Sequence, residues 1–386
     1  MGRVRTLIVD DSALVRKLLT EGLSHHPDIE VIGTAVDPYV ARDKILALDP
    51  DVITLDIEMP RMDGLTFLKL IMKHRPMPVV IMSSLTTSGS CKALEALQSG
   101  AVEVVAKPAG AFSVGDVEEL ATKIRAAAQS RQRRRPGTVP VPAAIPQADL
   151  APPVARAVAP PELRPVAKPV ISGGGRRYSS RQLIVMGAST GGTEALKTVL
   201  TRLPADVPGI CVVQHIPAYF SAAFAERLNQ LCSLEVREAK RGDEVRPGLV
   251  LVAPGGQHML LRWTGSGYSV DLNSGPPVHH QRPAVDVLFD TAVKAGAGPT
   301  ALAVLLTGMG ADGAAGMLRL REAGAETVAQ DEQSCVVFGM PREAIRLGAA
   351  RDVLPLDQMA ARIDRYAERC ALRAVNAAAR TAEALK

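Results

Sequence analysis

Leu183-Ile184-Val185-Met186-Gly187-Ala188-Ser189-Thr190-Gly191-Gly192 decides how the second half of this 386-residue chain folds. An apolar run of strand length stops at Gly187, a serine follows, and two glycines lead into Thr193-Glu194-Ala195-Leu196, which reads as a helix start. A strand that enters a helix through a tight glycine turn is the repeating unit of an α/β sheet. The turn puts Ser189 at the carboxyl end of its strand, with little side-chain bulk around it and backbone N–H groups of the helix start close by. Gly187-x-Ser189-x-Gly191 also fits the pattern that presents a nucleophilic serine on a sharp strand-to-helix turn. Glycine-rich turns of this kind equally cradle phosphates or only reverse the chain. The rest of the sequence has to choose.

Downstream, strand-like runs (Ile210–Gln214, Leu249–Ala253, Met259–Arg262, Tyr268–Leu272, Ala301–Thr307, Thr327–Ala329) alternate with helical stretches near Glu194–Leu203, Phe220–Leu231, Ala284–Lys294, Ala314–Ala323 and Gln358–Cys370. This predicts an α/β domain over residues 181–386. Upstream, residues 1–127 alternate in the same way, with strands at Thr6–Val9, Glu30–Ala35, Val52–Leu55, Val79–Met82 and Val102–Val105. Leu14, Leu18, Leu19 and Leu23 line one face of the first helix. Five such units predict a doubly wound parallel sheet whose binding crevice lies at the carboxyl ends of its strands. Between the two domains, residues 136–170 hold ten prolines in 35 positions, so 128–180 reads as an extended linker that buries too little apolar surface to fold.

Composition narrows the functional class. Hydrophobic residues make up 47% and charged residues 22%, as in soluble globular proteins, and no apolar run reaches the roughly 18 residues of a membrane span. The N-terminus enters a strand at once and does not read as a signal peptide. The five cysteines are widely spaced with no CxxC pair, which predicts buried thiols in a reducing, cytoplasmic setting. The net charge of +5 is concentrated at Arg131, Arg133, Arg134, Arg135, Arg176, Arg177 and Arg181, in or beside the linker. Aromatic residues are 3% of the chain, so these arginines read as a solvated basic linker with no nucleic-acid platform.

In the first domain Asp10 and Asp11 close the first strand and Asp56 the third, while Ser83 closes the fourth and Lys107 the fifth. Three converging carboxylates repel one another unless a hard cation neutralises them, and such oxygen ligands suit Mg²⁺. A lysine and a hydroxyl facing the same point would hold an anionic group placed on one carboxylate. Val9-Asp10-Asp11-Ser12, Leu55-Asp56-Ile57-Glu58-Met59-Pro60, Met82-Ser83-Ser84 and Ala106-Lys107-Pro108 resemble the receiver domain of two-component response regulators. That resemblance implies that Asp56 accepts a phosphoryl group from a histidine kinase. It also implies that Asp10, Asp11 and Asp56 bind Mg²⁺ and that Ser83 and Lys107 sense the phosphoryl group.

In the second domain His215 ends the strand Ile210–Gln214 and Asp312 follows the strand Ala301–Thr307. A nucleophilic serine needs a base, and the base needs a carboxylate to fix its tautomer and stabilise the imidazolium. Three strand ends supply those three side chains, in the chain order Ser…His…Asp. The rival reading is a dinucleotide-dependent oxidoreductase. Gly308-x-Gly310-x-x-Gly313 lies between a strand and a helix, with Asp331-Glu332 near the distance of a ribose-binding acid. A third possibility is a non-catalytic output domain that only binds a partner.

Gly187–Leu196, Gln214-His215-Ile216-Pro217 and Leu305–Met317 resemble the chemotaxis protein-glutamate methylesterase (CheB) family, as do Ala253-Pro254-Gly255-Gly256-Gln257-His258-Met259 and Ser274-Gly275-Pro276-Pro277-Val278. The resemblance implies a flavodoxin-like receiver followed by a Rossmann-like three-layer catalytic domain, both doubly wound and parallel. It implies Ser189 as nucleophile, His215 as base, Asp312 as its orienting carboxylate and the Met309 backbone N–H in the oxyanion hole. The implied activity is phosphorylation-regulated hydrolysis of glutamyl methyl esters on chemoreceptor cytoplasmic helices, with deamidation of particular receptor glutamines. No cofactor is implied for the esterase step.

Overall fold

The computed structural model of the chain describes residues 2–84, 86–108, 112–133, 176 and 178–384. It divides the chain into two compact units, Met1–Leu163 and Arg164–Lys386.

The first unit alternates β1 (Val4–Val9), α1 (Ala13–Leu23), β2 (Ile29–Ala35), α2 (Pro38–Leu48), β3 (Val52–Asp56), α3 (Gly64–His74), β4 (Val79–Ser84), α4 (Thr87–Gln98), β5 (Glu103–Lys107) and α5 (Val114–Arg133). Its sheet has the order β2-β1-β3-β4-β5 with every pair parallel. The chain reverses its direction of travel at β1 and β3, and this is where such sheets bind ligands. β3 is buried along its whole length, so it reads as an apolar run, interrupted only by Thr54, that closes on an aspartate. Helix starts are capped by side chains that the sequence supplies: Ser12 accepts Val15 N–H, Asp37 accepts Tyr39 and Val40 N–H, and Asp63 accepts Thr66 N–H. α5 continues past residue 127 to Arg133, so Arg131 and Arg133 lie on a helix. Most of the expected linker, including Arg134, Arg135 and Arg177, lies outside the described residues.

The second unit contains β6 (Leu183–Ala188), α6 (Gly192–Leu200), β7 (Gly209–Gln214), α7 (Ala218–Leu231), β8 (Glu235–Glu238), β9 (Glu244–Val245), β10 (Leu249–Val252), β11 (His258–Trp263), β12 (Tyr268–Asn273), α8 (Val285–Lys294), β13 (Ala301–Leu305), α9 (Ala314–Glu322), β14 (Glu326–Gln330), α10 (Met340–Arg346), β15 (Asp352–Leu354) and α11 (Leu356–Ala384). Seven strands form one parallel sheet in the order β15-β14-β13-β6-β7-β10-β8. β6 sits at its centre, between β13 and β7, and Leu183, Ile184, Val185 and Met186 are all 0% exposed. Each such side chain contributes about 1.5–3 kcal/mol on burial, so the quoted decapeptide anchors the core as well as presenting Ser189.

In addition to the parallel sheet, β11, β12 and β9 form a separate antiparallel sheet of three strands. One expectation needs correction: Arg176 is not a solvated linker cation, and Arg181, though exposed, packs on the fold. Arg176 pairs with Asp364 at 2.5 Å and Glu368 at 3.3 Å on α11, and the Arg181 guanidinium stacks 4.1 Å above the Trp263 ring. The ordered second unit therefore includes Arg176. Of the cysteines, Cys211, Cys232, Cys335 and Cys370 are buried free thiols, whereas Cys91 is exposed on α4.

Candidate active site

Ser189, His215 and Asp312 follow β6, β7 and β13, three adjacent strands at the centre of the seven-stranded sheet. The ladder continues one step beyond the strands: Ser189 N–H donates to Thr307 O at 3.0 Å and His215 N–H to Ala188 O at 3.1 Å. All three side chains are nearly buried, with exposures of 5%, 4% and 2%. The turn at Ser189 works because Gly191 adopts φ +75°, a left-handed conformation that glycine takes without strain.

His215 Nε2 lies 2.7 Å from Asp312 Oδ2. With Nε2 on the carboxylate, Nδ1 is the nitrogen left to take a proton from a serine. Among the described residues no hydrogen bond joins Ser189 Oγ to His215, a looseness common where catalytic geometry tightens only around substrate. The Asp312 carboxylate also accepts Val285 N–H on Oδ2 at 2.7 Å and Asp286 N–H on Oδ1 at 2.9 Å, both from the first turn of α8. Burial acts to raise the Asp312 carboxyl. His215 and the two N–H groups outweigh it, so the group sits below the usual carboxylate range and stays ionised. Met309 precedes Asp312 on the same loop, and among the described residues its N–H has no hydrogen-bond partner.

Three contributors had no sequence signal, because they join segments far apart in the chain. Gln214 Nε2 donates to Ser189 O at 2.8 Å and His215 O at 3.1 Å, fastening the two loops together. The Thr307 hydroxyl lies 2.9 Å from Thr190 O and accepts Val337 N–H at 3.0 Å. The start of α8 supplies the N–H pair that holds Asp312. His279, Asp286 and Asp312 bring potential ligand atoms within 4.8 Å of one another, but the carboxylates already accept hydrogen bonds from backbone N–H groups and histidines.

The loop Gly308–Gly313 does join a strand to a helix, as a dinucleotide fingerprint would. Gly308 and Gly313 serve close packing instead, while Gly310 has open space around it and adopts φ +85°. A Cβ on Gly308 would lie 2.3 Å from Met340 Sδ and 2.7 Å from Ser189 Cβ, and one on Gly313 would lie 2.6 Å from Val285 Cγ1.

In the first unit Asp10 and Asp56 share one ammonium: Lys107 Nζ lies 2.7 Å from Asp10 Oδ2 and 2.8 Å from Asp56 Oδ2. Asp10, Asp11 and Asp56 each offer an oxygen within 4.8 Å of the others. Burial pushes the Asp56 carboxyl up to about 6; Lys107 opposes the rise and the Asp10 charge adds to it. Lys107 is pushed up in turn, because attraction to Asp56 and Asp10 outweighs its own burial. Asp10 Oδ2, although beside Lys107, takes no properly directed hydrogen bond. Buried negative charge in excess of one lysine, with an acceptor unsatisfied, suits a hard divalent cation. Ser83 is buried at the end of β4, and its hydroxyl donates to Gly89 O at 3.0 Å.

A model of the CheB methylesterase family matches residues 184–363, and a model of the response regulator receiver domain matches residues 6–115. A protein-glutamate methylesterase/protein-glutamine glutaminase of Syntrophus aciditrophicus is 52% identical over 366 residues, covering 95% of this chain and 99% of that one. The chain belongs to the CheB family. A second CheB relative, from Bordetella avium and bearing the same description, is 52% identical over 367 residues and covers 94% of this chain and 97% of its own. Among solved structures, the CheB methylesterase catalytic domain of Thermotoga maritima is 38% identical with a TM-score of 0.46, covering 47% of this chain and 96% of that domain. The response regulator domain of Thermotoga maritima CheB is 45% identical with a TM-score of 0.30, covering 33% of this chain and 96% of that domain. CheB membership explains why a receiver and an esterase occupy one chain in this order, and it does not favour the oxidoreductase reading. Among the described residues no helix is long and apolar enough to cross a membrane.

Proposed function

We propose that Ser189, His215 and Asp312 carry the protein-glutamate methylesterase and protein-glutamine glutaminase activity of this CheB chain, and that phosphorylation of Asp56 regulates it. The observation that carries the assignment is the buried 2.7 Å pair between His215 and Asp312, on the two strands that flank the one ending in Ser189.

Ser189 Oγ attacks the γ-carbonyl carbon of a glutamyl methyl ester while His215 Nδ1 takes the hydroxyl proton. Asp312 stabilises the imidazolium that forms, and the Met309 N–H donates to the developing oxyanion. Collapse of the tetrahedral intermediate breaks the bond to the methoxy oxygen, which leaves as methanol with the proton from His215. Water then adds to the acyl-enzyme, gives its proton to His215, and the glutamate carboxylate departs as Ser189 regains its hydrogen. A glutamine amide follows the same course and loses ammonia. The esterase step calls for these protein groups and water, with no cofactor.

In the receiver, Asp10, Asp11 and Asp56 would hold Mg²⁺, which shields the charge of an incoming phosphoryl group when bound. Asp56 Oδ is the acceptor, Lys107 turns from the two carboxylates toward the phosphoryl oxygens, and Ser83 releases Gly89 O to do the same. The phosphodonor we infer is the histidine kinase of a chemotaxis pathway. The substrates are the cytoplasmic helices of methyl-accepting chemoreceptors, so the enzyme acts in the cytoplasm, with no nucleic-acid partner and no insertion into the membrane. Incubating the purified full-length protein with receptor membranes carrying radiolabelled methyl esters and counting volatile methanol tests the reading. Release above a no-enzyme control is expected, and its absence with phosphodonor and Mg²⁺ present refutes the reading.

A further inference from the structure

Two sequence motifs have no part in the mechanism above: Ala253–Met259, which joins β10 to β11, and Ser274–Val278, which follows β12. They meet at His258. Its ring is buried, with 4% exposure, and both nitrogens are engaged. Nδ1 accepts the Ala284 N–H at 3.2 Å, and Nε2 lies 3.0 Å from Pro276 O. A carbonyl oxygen only accepts and an amide N–H only donates, so the two bonds together require the neutral tautomer protonated on Nε2.

Ala284 is the N-cap residue of α8, and its own side chain gives no cap. The next two N–H groups, of Val285 and Asp286, are the ones that hold Asp312. A chain of direct contacts therefore runs from His258 Nδ1 through the Ala284 backbone to the Asp312 carboxylate and on to His215 Nε2. The other end of the first motif presses on the loop that carries the base. A Cβ on Gly255 would lie 2.4 Å from Ala218 Cα and 2.6 Å from Pro217 C, and Gly255 N–H donates to Ser221 Oγ at 3.0 Å. The β10–β11 connection thus touches both the segment after His215 and the helix start that grips Asp312.

We infer that His258 is a positioning residue for the His215–Asp312 pair: by accepting the Ala284 N–H it fixes the first turn of α8 and so the direction of the Asp312 carboxylate. His258 is buried beside the N-cap of α8 with both ring nitrogens taken by backbone groups, so it acts through Asp312. The inference rests on the catalytic assignment of Ser189, His215 and Asp312. It differs from a general packing role in assigning the effect to one acceptor atom.

Two replacements separate the ring nitrogens. Asn places an amide oxygen near Nδ1 and keeps the acceptor for Ala284 N–H, while losing the bond to Pro276 O. Gln reaches the Nε2 position and keeps the donor to Pro276 O, while losing the acceptor. In full-length protein, His258→Ala and His258→Gln should lower kcat for methanol release by about 10²-fold, the scale of a small misplacement of catalytic groups. KM should change by less than about twofold, because no substrate contact is lost. His258→Asn should keep kcat within about tenfold of wild type. The rate at which a fluorophosphonate labels Ser189 should follow the same ranking without needing receptor substrate. Long-range ¹H–¹⁵N spectra of the wild-type histidines, which need no variant to fold, should show His258 protonated on Nε2 only. The inference is overturned if Gln equals or exceeds Asn, if Ala leaves kcat unchanged, or if His258 carries a proton on Nδ1. Wild-type protein that releases no methanol at all would instead refute the function proposed above.

Discussion

Replacing Asp312 by Asn changes one atom and sets two opposite demands against each other. The carboxylate accepts three hydrogen bonds: His215 Nε2 and Val285 N–H on Oδ2, and Asp286 N–H on Oδ1. Asn has one acceptor oxygen and one NH₂ group. If the oxygen keeps the Oδ2 position, the NH₂ faces the Asp286 N–H, and two buried donors oppose each other at a cost of about 1–3 kcal/mol. If the amide turns over, its NH₂ faces His215 Nε2. That nitrogen must then accept, and the ring proton moves to Nδ1, the atom proposed to receive the Ser189 proton. Neither orientation leaves a carboxylate to stabilise the imidazolium. The expected loss in kcat is about 10⁴-fold, the size seen when the corresponding change puts a triad histidine in the wrong tautomer. At about 2–4 °C per kcal/mol for a domain of this size, the melting temperature should fall by roughly 2–12 °C. Methanol release from methylated receptor membranes gives kcat, and a thermal scan gives stability. A kcat within about tenfold of wild type would refute the orienting role of Asp312 even if the protein melted early.

Gly308→Ala should lower both melting temperature and kcat, since its Cβ would lie 2.3 Å from Met340 Sδ and 2.7 Å from Ser189 Cβ, with overpacking costs of about 1–3 kcal/mol; unchanged values in both assays would contradict the packing role. Asp56→Asn should abolish labelling by acetyl phosphate, and chelating Mg²⁺ should do the same to wild type; stable labelling in either case would exclude Asp56 as acceptor or Mg²⁺ as its cation. Asp312 is held below the ordinary carboxylate range, so its contribution to stability is fully present above the unfolded value of about 3.9 and is lost as pH falls through the lower folded value. Denaturant melts below that pH should show wild type losing stability more steeply than Asp312→Asn, and parallel curves would contradict the shift.

The parallel strands could be read from the sequence because a strand buried on both faces must be an unbroken apolar run, as Leu183–Met186 and Ala301–Leu305 are. The strand ends were legible for a related reason: chemistry-bearing residues interrupt those runs, and a parallel sheet brings consecutive carboxyl ends together. β8, β15 and β9 escaped detection. Glu235–Glu238 and Asp352–Leu354 are short edge strands carrying charge, and Glu244–Val245 is two residues long. β11 and β12 were found as apolar runs, but nothing in their composition said that they pair antiparallel outside the main sheet. α11 runs to Ala384, well beyond Cys370, where a sequence of mostly Ala and Arg has helix propensity but no apolar stripe to mark it. At the candidate site, the positions of Ser189, His215 and Asp312 beyond three strand ends were legible. The choice of Nε2 for Asp312, the Gln214 tie and the grip of α8 were not, because those contacts join residues 25 to 97 positions apart. Arg176 shows the reverse failure: an arginine beside a proline-rich segment looks solvated until its carboxylate partner is seen.

The most direct measurement is methanol release by full-length Ser189→Ala, with wild type run in parallel and acetyl-phosphate labelling of Asp56 as the folding control. Removing the hydroxyl leaves His215, Asp312 and the Met309 N–H in place but takes away the proposed nucleophile. Release should fall by several orders of magnitude, to the no-enzyme background, with Asp56 labelling unchanged. Release within about tenfold of wild type, with Asp56 labelled as before, would contradict serine acyl transfer as the chemistry of this protein.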